Sequence, residues 1–335
     1  MLYITYMFIR DVFWGWVMEY RKLISFGKNS YVVSLPKNWV RQNKLKKGDL
    51  VYIEENVSNL VLQPRPSESG EEKEITIQID GKSKKRIQRE IISAYIQNYK
   101  TIKFVGNDVK EKAMDIQGFV QNLVALEIIE QDSKRVTTKD FLNLNDISID
   151  QILRKMDAIT RSMLKDCREM FDEDKSENIY HRDNDVNKFR FLIFRIIWFG
   201  MESPSVVLKK LNLRQHDLFN YWWLSFSIES IADYIKRIAR LMKETKLPAK
   251  EREEFTNLLA QIEIMYEEIM KAYYTKNLEI AHKVVEERFE IIKRCDDFYK
   301  KNRDVSLIGY LVYNTKSLIV SIHSIGRIVY QGIPG

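Results

Sequence analysis

The sequence predicts a multidomain protein with a small β-rich N-terminal unit, an α+β connector domain and two tandem three-helix bundles. The strongest observation is a repeat, because Ser227–Ala232 recurs 94 positions further on as Ser321–Gly326. Each copy lies in an apolar pattern with steps of three and four residues, which predicts an amphipathic helix. Short β segments lie before Pro66. A chain of 335 residues also exceeds the usual size of one hydrophobic core.

The chain divides into five expected segments. Residues 1–18 form an extension, residues 19–66 the β-rich unit and residues 71–145 the connector, which follows a polar linker with Pro, Gly and Ser. Residues 148–245 and 248–331 form the two three-helix repeats. Because each repeat has apolar stripes on its helices, we expect each bundle to have a core of its own.

The extension fits neither a membrane span nor a signal peptide, since Arg10 and Asp11 interrupt its apolar residues. Two interpretations stay open: a non-native start ahead of Met18, or an interfacial or partner-binding segment. Cys167 and Cys295 are the only cysteines and lie far apart, so no disulfide framework is expected. We therefore expect a cytoplasmic protein with no membrane partner.

The β-rich unit is predicted from its turn residues. Gly27–Ser30 suits a tight hairpin turn, and Pro36 suits the first turn of a short helix. The predicted strands and helix are Arg21–Phe26, Tyr31–Leu35, helix Lys37–Asn43, Leu50–Glu54 and Leu60–Gln63. About 45 residues make a small core, so we expect an intertwined dimer.

Positive charge is concentrated in the same unit. From Glu19 to Pro66 there are nine Lys or Arg residues against four Asp or Glu, a net charge of +5 out of +7 for the whole chain. Such a concentration predicts an anionic partner, nucleic acid first and a membrane surface second.

Two stretches of this unit, Gly27–Lys37 and Leu45–Val51, resemble the AbrB or SpoVT-AbrB swapped-hairpin DNA-binding domain. The resemblance implies that two chains interlock their hairpins as a homodimer and present basic loops to DNA. The residues implied in DNA binding are Arg21, Lys22, Lys28, Asn29 and Arg41. Asn29 has a second interpretation, as a turn residue at positive φ.

The third helix of the first repeat carries two acids at helical spacing. Glu229 and Asp233 are four residues apart and therefore point from one helix face. The stretch Ser227–Asp233 resembles the Glu-x-x-x-Asp motif of PhoU-family bundles, some of which bind metal clusters. The resemblance implies a divalent or iron-type metal held by Asp183, Glu229 and Asp233.

Two other interpretations of this acidic face stay open: a solvated or salt-bridged surface, and a contact for an anion or a partner. Asn187 also stands where the family has an acid, and the second repeat has His323 and Arg327 in place of Glu229 and Asp233. Because an arginine repels a metal ion, no ligand is expected from that helix.

A chain that joins an AbrB-like N-terminal unit to a PhoU-like C-terminal domain resembles the archaeal type of phosphate uptake regulator. The resemblance implies a DNA-binding transcriptional regulator, with the PhoU-like domain as sensor or adaptor. The alternative is a non-DNA-binding adaptor that docks on a phosphate transporter or signalling partner. A toxin–antitoxin component is a third class, against which the long helical repeat argues. No catalytic motif is readable, so an enzyme is not expected.

Aromatic residues are concentrated in the first repeat, at Trp198, Trp222 and Trp223. Core packing is the preferred interpretation, and a groove open to a partner helix is the alternative.

Overall fold

The computed structural model describes residues 20–28, 30–55, 60–64, 73–143, 147–202, 213 and 215–332. The chain forms two compact units, residues 1–69 and residues 70–335. Two features expected from the sequence lie outside the described residues: the extension 1–18 and Asn29.

The N-terminal unit contains two antiparallel hairpins and a short helix. Strands β1 and β2 pair with Ile24 opposite Val32, and Gly27 takes the left-handed turn conformation with φ of +70°. Helix α1 follows Pro36, whose fixed φ suits a helix start. The elements are β1 Ile24–Phe26, β2 Ser30–Val32, α1 Lys37–Gln42, β3 Tyr52–Glu55 and β4 Leu60–Gln63. The predicted hairpin and helix are confirmed.

The connector is a four-stranded sheet with two helices. Strands β5 and β6 are parallel and joined by α2, whereas β8 runs antiparallel to both β6 and β7, in the order β5-β6-β8-β7. A core separate from that of the helical bundles includes Ile87, Ile102 and Phe104. The elements are β5 Glu74–Gln78, α2 Lys84–Ile96, β6 Thr101–Val105, α3 Val109–Gln121, β7 Leu126–Gln131 and β8 Arg135–Asp140.

The remainder of the described chain is two tandem three-helix bundles, as the repeat predicts. The side chain of Ser148 accepts a hydrogen bond from the backbone of Gln151 at the start of α4, and Pro248 precedes α7, as expected for a helix start. The helices are α4 Ile149–Arg168, α5 Ser176–Glu202, α6 Gln215–Glu244, α7 Ala249–Thr275, α8 Leu278–Lys301 and α9 Ile308–Gly332.

The two bundles share one hydrophobic core, so the prediction of separate cores is wrong. The repeated helices α6 and α9 pack against each other more extensively than any other pair of described elements. Ile228 and Ile322, which occupy equivalent positions in the repeat, are both buried in that core. The hydroxyls of Ser227 and Ser324 meet at 2.8 Å across the same interface. The apolar stripes on α6 and α9 therefore pack against each other as well as against the other helices of their own bundles.

Candidate functional site

The basic side chains of the N-terminal unit lie at both ends of the first hairpin. Lys28 is exposed in the turn, whereas Arg21 and Lys22 are exposed just before β1. The three-residue strand between them spans about 10 Å. Arg41 is exposed in the last turn of α1. One chain thus presents cations at separated points.

Apolar side chains of the same unit are exposed as well. None of its described residues is buried. Half-exposed or exposed large apolar residues are Tyr20, Leu23, Ile24, Phe26, Tyr31, Val32, Val33, Leu50, Tyr52, Ile53, Leu60 and Val61. Apolar surface of this extent is unusual for a folded unit on its own and is stabilised when further apolar surface covers it.

The three acids predicted as metal ligands lie in an ion-pair cluster between α5 and α6. Arg190 Nη1 lies 2.6 Å from Glu229 Oε1, and Lys236 Nζ lies 2.6 Å from Asp183 Oδ2. Lys236 also lies 3.0 Å from Asp233 Oδ1. The members of the ion-pair cluster are Asp183, Arg190, Glu229, Asp233, Lys236 and Arg237, the last of which pairs with Asp233.

Burial sets the ionisation of this cluster. Burial raises the pKa of Asp183 and of Glu229, and ion pairs with Lys236 and Arg190 oppose that shift. Burial also acts to lower the pKa of Lys236, but its hydrogen bonds to Asp183 and Asp233 outweigh burial and the net shift is upward. Asp183 is 2% exposed, and its Oδ1 has no hydrogen-bond partner among the described residues.

The cluster as arranged does not fit a metal ion. Its three carboxylates face three cations, so it is already balanced in charge, and a divalent ion would add uncompensated positive charge to a partly buried place. Within the described residues no group of three or more His, Cys, Asp or Glu side chains is arranged for a metal. The geometry favours the salt-bridged interpretation over the metal site, and elemental analysis tests the choice.

A buried ion pair outside this cluster, which the sequence did not predict, joins the helical bundle to the connector. Arg195 on α5 donates from Nη1 to Asp140 Oδ1 at 3.0 Å and from Nη2 to Asp140 Oδ2 at 2.6 Å, and both side chains are buried. Asn98 Oδ1 accepts from Arg195 Nη2 at 2.8 Å, and the guanidinium lies 4.5 Å from the Tyr95 ring centroid. A lone arginine in the apolar run Phe191–Phe199 was the available signal.

Two of the three tryptophans of the first repeat are exposed, which corrects the expectation of core packing for them. Trp198 and Trp222 are 43% and 40% exposed, whereas Trp223 packs against the core. Trp222 stacks with Phe219 and Phe226 at ring-centroid distances of 6.0 and 5.8 Å. The helical domain therefore has an aromatic face on α5 and α6.

Comparisons with known families assign two parts of the chain. Residues 24–70 match the family described as antidote-toxin recognition MazE, bacterial antitoxin, and residues 153–242 match the PhoU domain. The chain joins a MazE/AbrB-like N-terminal domain to a PhoU domain. No curated protein and no solved structure matches the chain.

The fusion predicted from the sequence is thus confirmed, and both matched families are regulatory rather than enzymatic. The PhoU match covers most of the first repeat, including the ion-pair cluster and Arg195. Among the described residues, no helix combines the length and the apolar character needed to cross a lipid bilayer.

Proposed function

We propose that this protein is a dimeric, cytoplasmic, DNA-binding transcriptional regulator of phosphate uptake, with the PhoU domain as its sensor or adaptor. One observation carries the proposal: the MazE/AbrB-like unit exposes cations and a large apolar surface in the same 45 or so residues. A second copy of the unit would cover the apolar surface, and the cations would then meet DNA phosphates in pairs.

The proposed mechanism is linkage between the PhoU domain and DNA. A ligand or partner that prefers one arrangement of the helical domain shifts DNA affinity by its differential binding to the two arrangements. Helix α5 is suited to transmit such a shift. It carries Asp183 and Arg190 of the ion-pair cluster and, further along, Arg195, which is bound to Asp140 of the connector.

DNA titrations across a salt series test the proposal. If Arg21, Lys22 and Lys28 each meet a phosphate in both subunits, roughly 6 charges are neutralised and the log–log salt slope approaches about −5. The Lys28→Ala variant should bind all sequences more weakly and flatten the slope by about 2 units. Lys110→Ala, which removes an exposed lysine on α3, is the matched control and should leave the slope unchanged.

The Asn29→Ala variant separates base reading from phosphate binding. A base-edge contact would cost about 1–3 kcal/mol of preference for the cognate site and leave the salt slope nearly unchanged. A turn residue would instead affect folding, which circular dichroism reports. If Lys28→Ala binds DNA as tightly as the wild type with the same slope, the basic hairpin is not the DNA surface.

The second candidate function is an adaptor that docks on a phosphate transporter or signalling protein. The exposed aromatic stack of Phe219, Trp222 and Phe226 favours it, since aromatic residues are enriched in protein–protein contacts. Recovery of the protein with membranes in cell extracts, combined with no DNA binding at low salt, would support the adaptor over the regulator.

A further inference from the structure

The second repeat has basic residues where two acids of the ion-pair cluster stand in the first repeat. The 94-residue offset of the repeat places His323 where the first repeat has Glu229, and Arg327 where it has Asp233. Both residues lie on α9, four apart and therefore on one helix face. Together with Arg288 on the neighbouring helix α8, they form what we call the basic triad.

Contacts along α8 and α9 place Arg288 beside His323. The two helices run antiparallel, and Arg288 lies one turn beyond Val285, which brings it level with His323. Three contacts fix this alignment: the rings of His282 and Tyr330 stack at 5.4 Å, a Cβ added to Gly326 would lie 2.9 Å from Val285 Cγ2, and Asp296 Oδ1 lies 2.7 Å from Lys316 Nζ.

No carboxylate compensates the basic triad within the described residues. The helical neighbours of Arg288 three and four residues away are all apolar: Val284, Val285, Ile291 and Ile292. Glu287 pairs with Lys283, and Glu286 and Glu290 point to the opposite side of α8, about 160° away.

One polar atom of the triad is buried without a partner. Arg288 Nε has no hydrogen-bond partner among the described residues, although the guanidinium lies 4.4 Å from the Phe289 ring centroid. His323 is 5% exposed, and no hydrogen bond to its ring nitrogens is found in the described part of the chain. An unpaired buried donor such as Arg288 Nε is costly, and a bound anion would satisfy it.

We propose that the basic triad binds a tetrahedral oxyanion, either inorganic phosphate or the phosphate group of a monoester. Arginine presents a planar fork of N–H donors that matches phosphate oxygens, and Arg327 is exposed so that an anion can reach it. The anion would also relieve the repulsion between Arg288 and Arg327. This site concerns only the second repeat and does not depend on DNA binding.

The imidazole of His323 supplies a built-in reporter. Burial, together with the charges of Arg288 and Arg327, lowers the pKa of His323 to about 4. Arg288 on α8 and Arg327 on α9 are the charged groups whose interaction with His323 shifts this pKa. A bound oxyanion adds negative charge, so it should raise this pKa by about 1 unit or more.

Proton NMR titration of the four histidines in the full-length protein measures the effect. The His323 signal, assigned with His323→Gln, is followed against pH in chloride, in inorganic phosphate and in glycerol phosphate at equal ionic strength. The preferred anion is then titrated calorimetrically into Arg288→Gln, Arg327→Gln and the control Arg303→Gln, an exposed arginine on another part of the repeat. Each triad variant should bind about tenfold or more weakly, and the control should bind like the wild type.

The comparison of inorganic phosphate with glycerol phosphate identifies the ligand, since the anion that binds more tightly shows whether the site takes free phosphate or a phosphate monoester. The triad variants should not melt at lower temperature, because they remove repulsion rather than an ion pair. If Arg288→Gln fails to fold, the Arg327→Gln variant, which changes an exposed residue, is sufficient for the test. The proposal is overturned if neither anion changes the pKa of His323, or if Arg327→Gln and Arg303→Gln bind the anion equally well.

Discussion

Replacing Arg195 with methionine should destabilise the larger compact unit by about 3 kcal/mol. Methionine keeps most of the side-chain length but removes the guanidinium, so Asp140 stays buried without its bidentate partner. Removing one member of a buried ion pair costs about 3–5 kcal/mol. The lower end of that range applies, because Asp140 also pairs with Lys100 and accepts a hydrogen bond from the backbone of Leu142.

Urea unfolding measures this loss. Circular dichroism reports mainly the helices of the larger unit. Tryptophan fluorescence comes from Trp198, Trp222 and Trp223 on α5 and α6 and also from Trp14, Trp16 and Trp39 near the N-terminus, so circular dichroism is the primary readout. Arg135→Gln is the control, since it breaks an exposed ion pair with Glu130 and should cost less than about 1 kcal/mol. A loss in Arg195→Met no larger than in this control would refute the role of Arg195 in joining bundle and connector.

Three further predictions concern the helical domain. Elemental analysis should find equal metal content in the wild type and in the Glu229→Gln/Asp233→Asn double variant, because the cluster is balanced in charge. Stoichiometric metal in the wild type that is lost in the double variant would instead support the metal site. Burial raises the pKa of Cys167 and of Cys295 to about 12, so iodoacetamide at pH 8 should alkylate both thiols only after unfolding, and rapid labelling of native protein would contradict their burial. Because the pKa of His323 is about 4 in the fold and about 6.5 when unfolded, the melting temperature in anion-free buffer should fall as the pH drops from 6.5 towards 4; His323→Gln should flatten that fall, and an unchanged pH profile would contradict it.

Features that depend on neighbours in the sequence were predictable. Gly27 and Pro36 mark the hairpin turn and the helix start because only local backbone geometry decides them. Apolar stripes at steps of three and four residues identified the helices, and the repeat identified the tandem bundles.

Features that depend on packing between distant segments were not predictable. The spacing of Glu229 and Asp233 shows that they share a helix face, but only the packing of α5 on α6 brings Arg190 to Glu229. Similarly, Arg195 and Asp140 are 55 residues apart and meet where a bundle helix covers the sheet of the connector. A single shared core arises because the apolar stripes on α6 and α9 are wide enough to face both their own bundle and each other.

Genome-wide mapping of where the full-length protein binds DNA, in cells grown in high and low phosphate, tests whether the protein regulates phosphate uptake through its basic hairpin. We expect enrichment in front of phosphate-uptake genes, a change in occupancy with phosphate, and loss of enrichment in the Arg21→Ala/Lys22→Ala/Lys28→Ala variant. No enriched sites, or the same sites in that variant as in the wild type, would contradict a regulator that binds DNA through its basic hairpin.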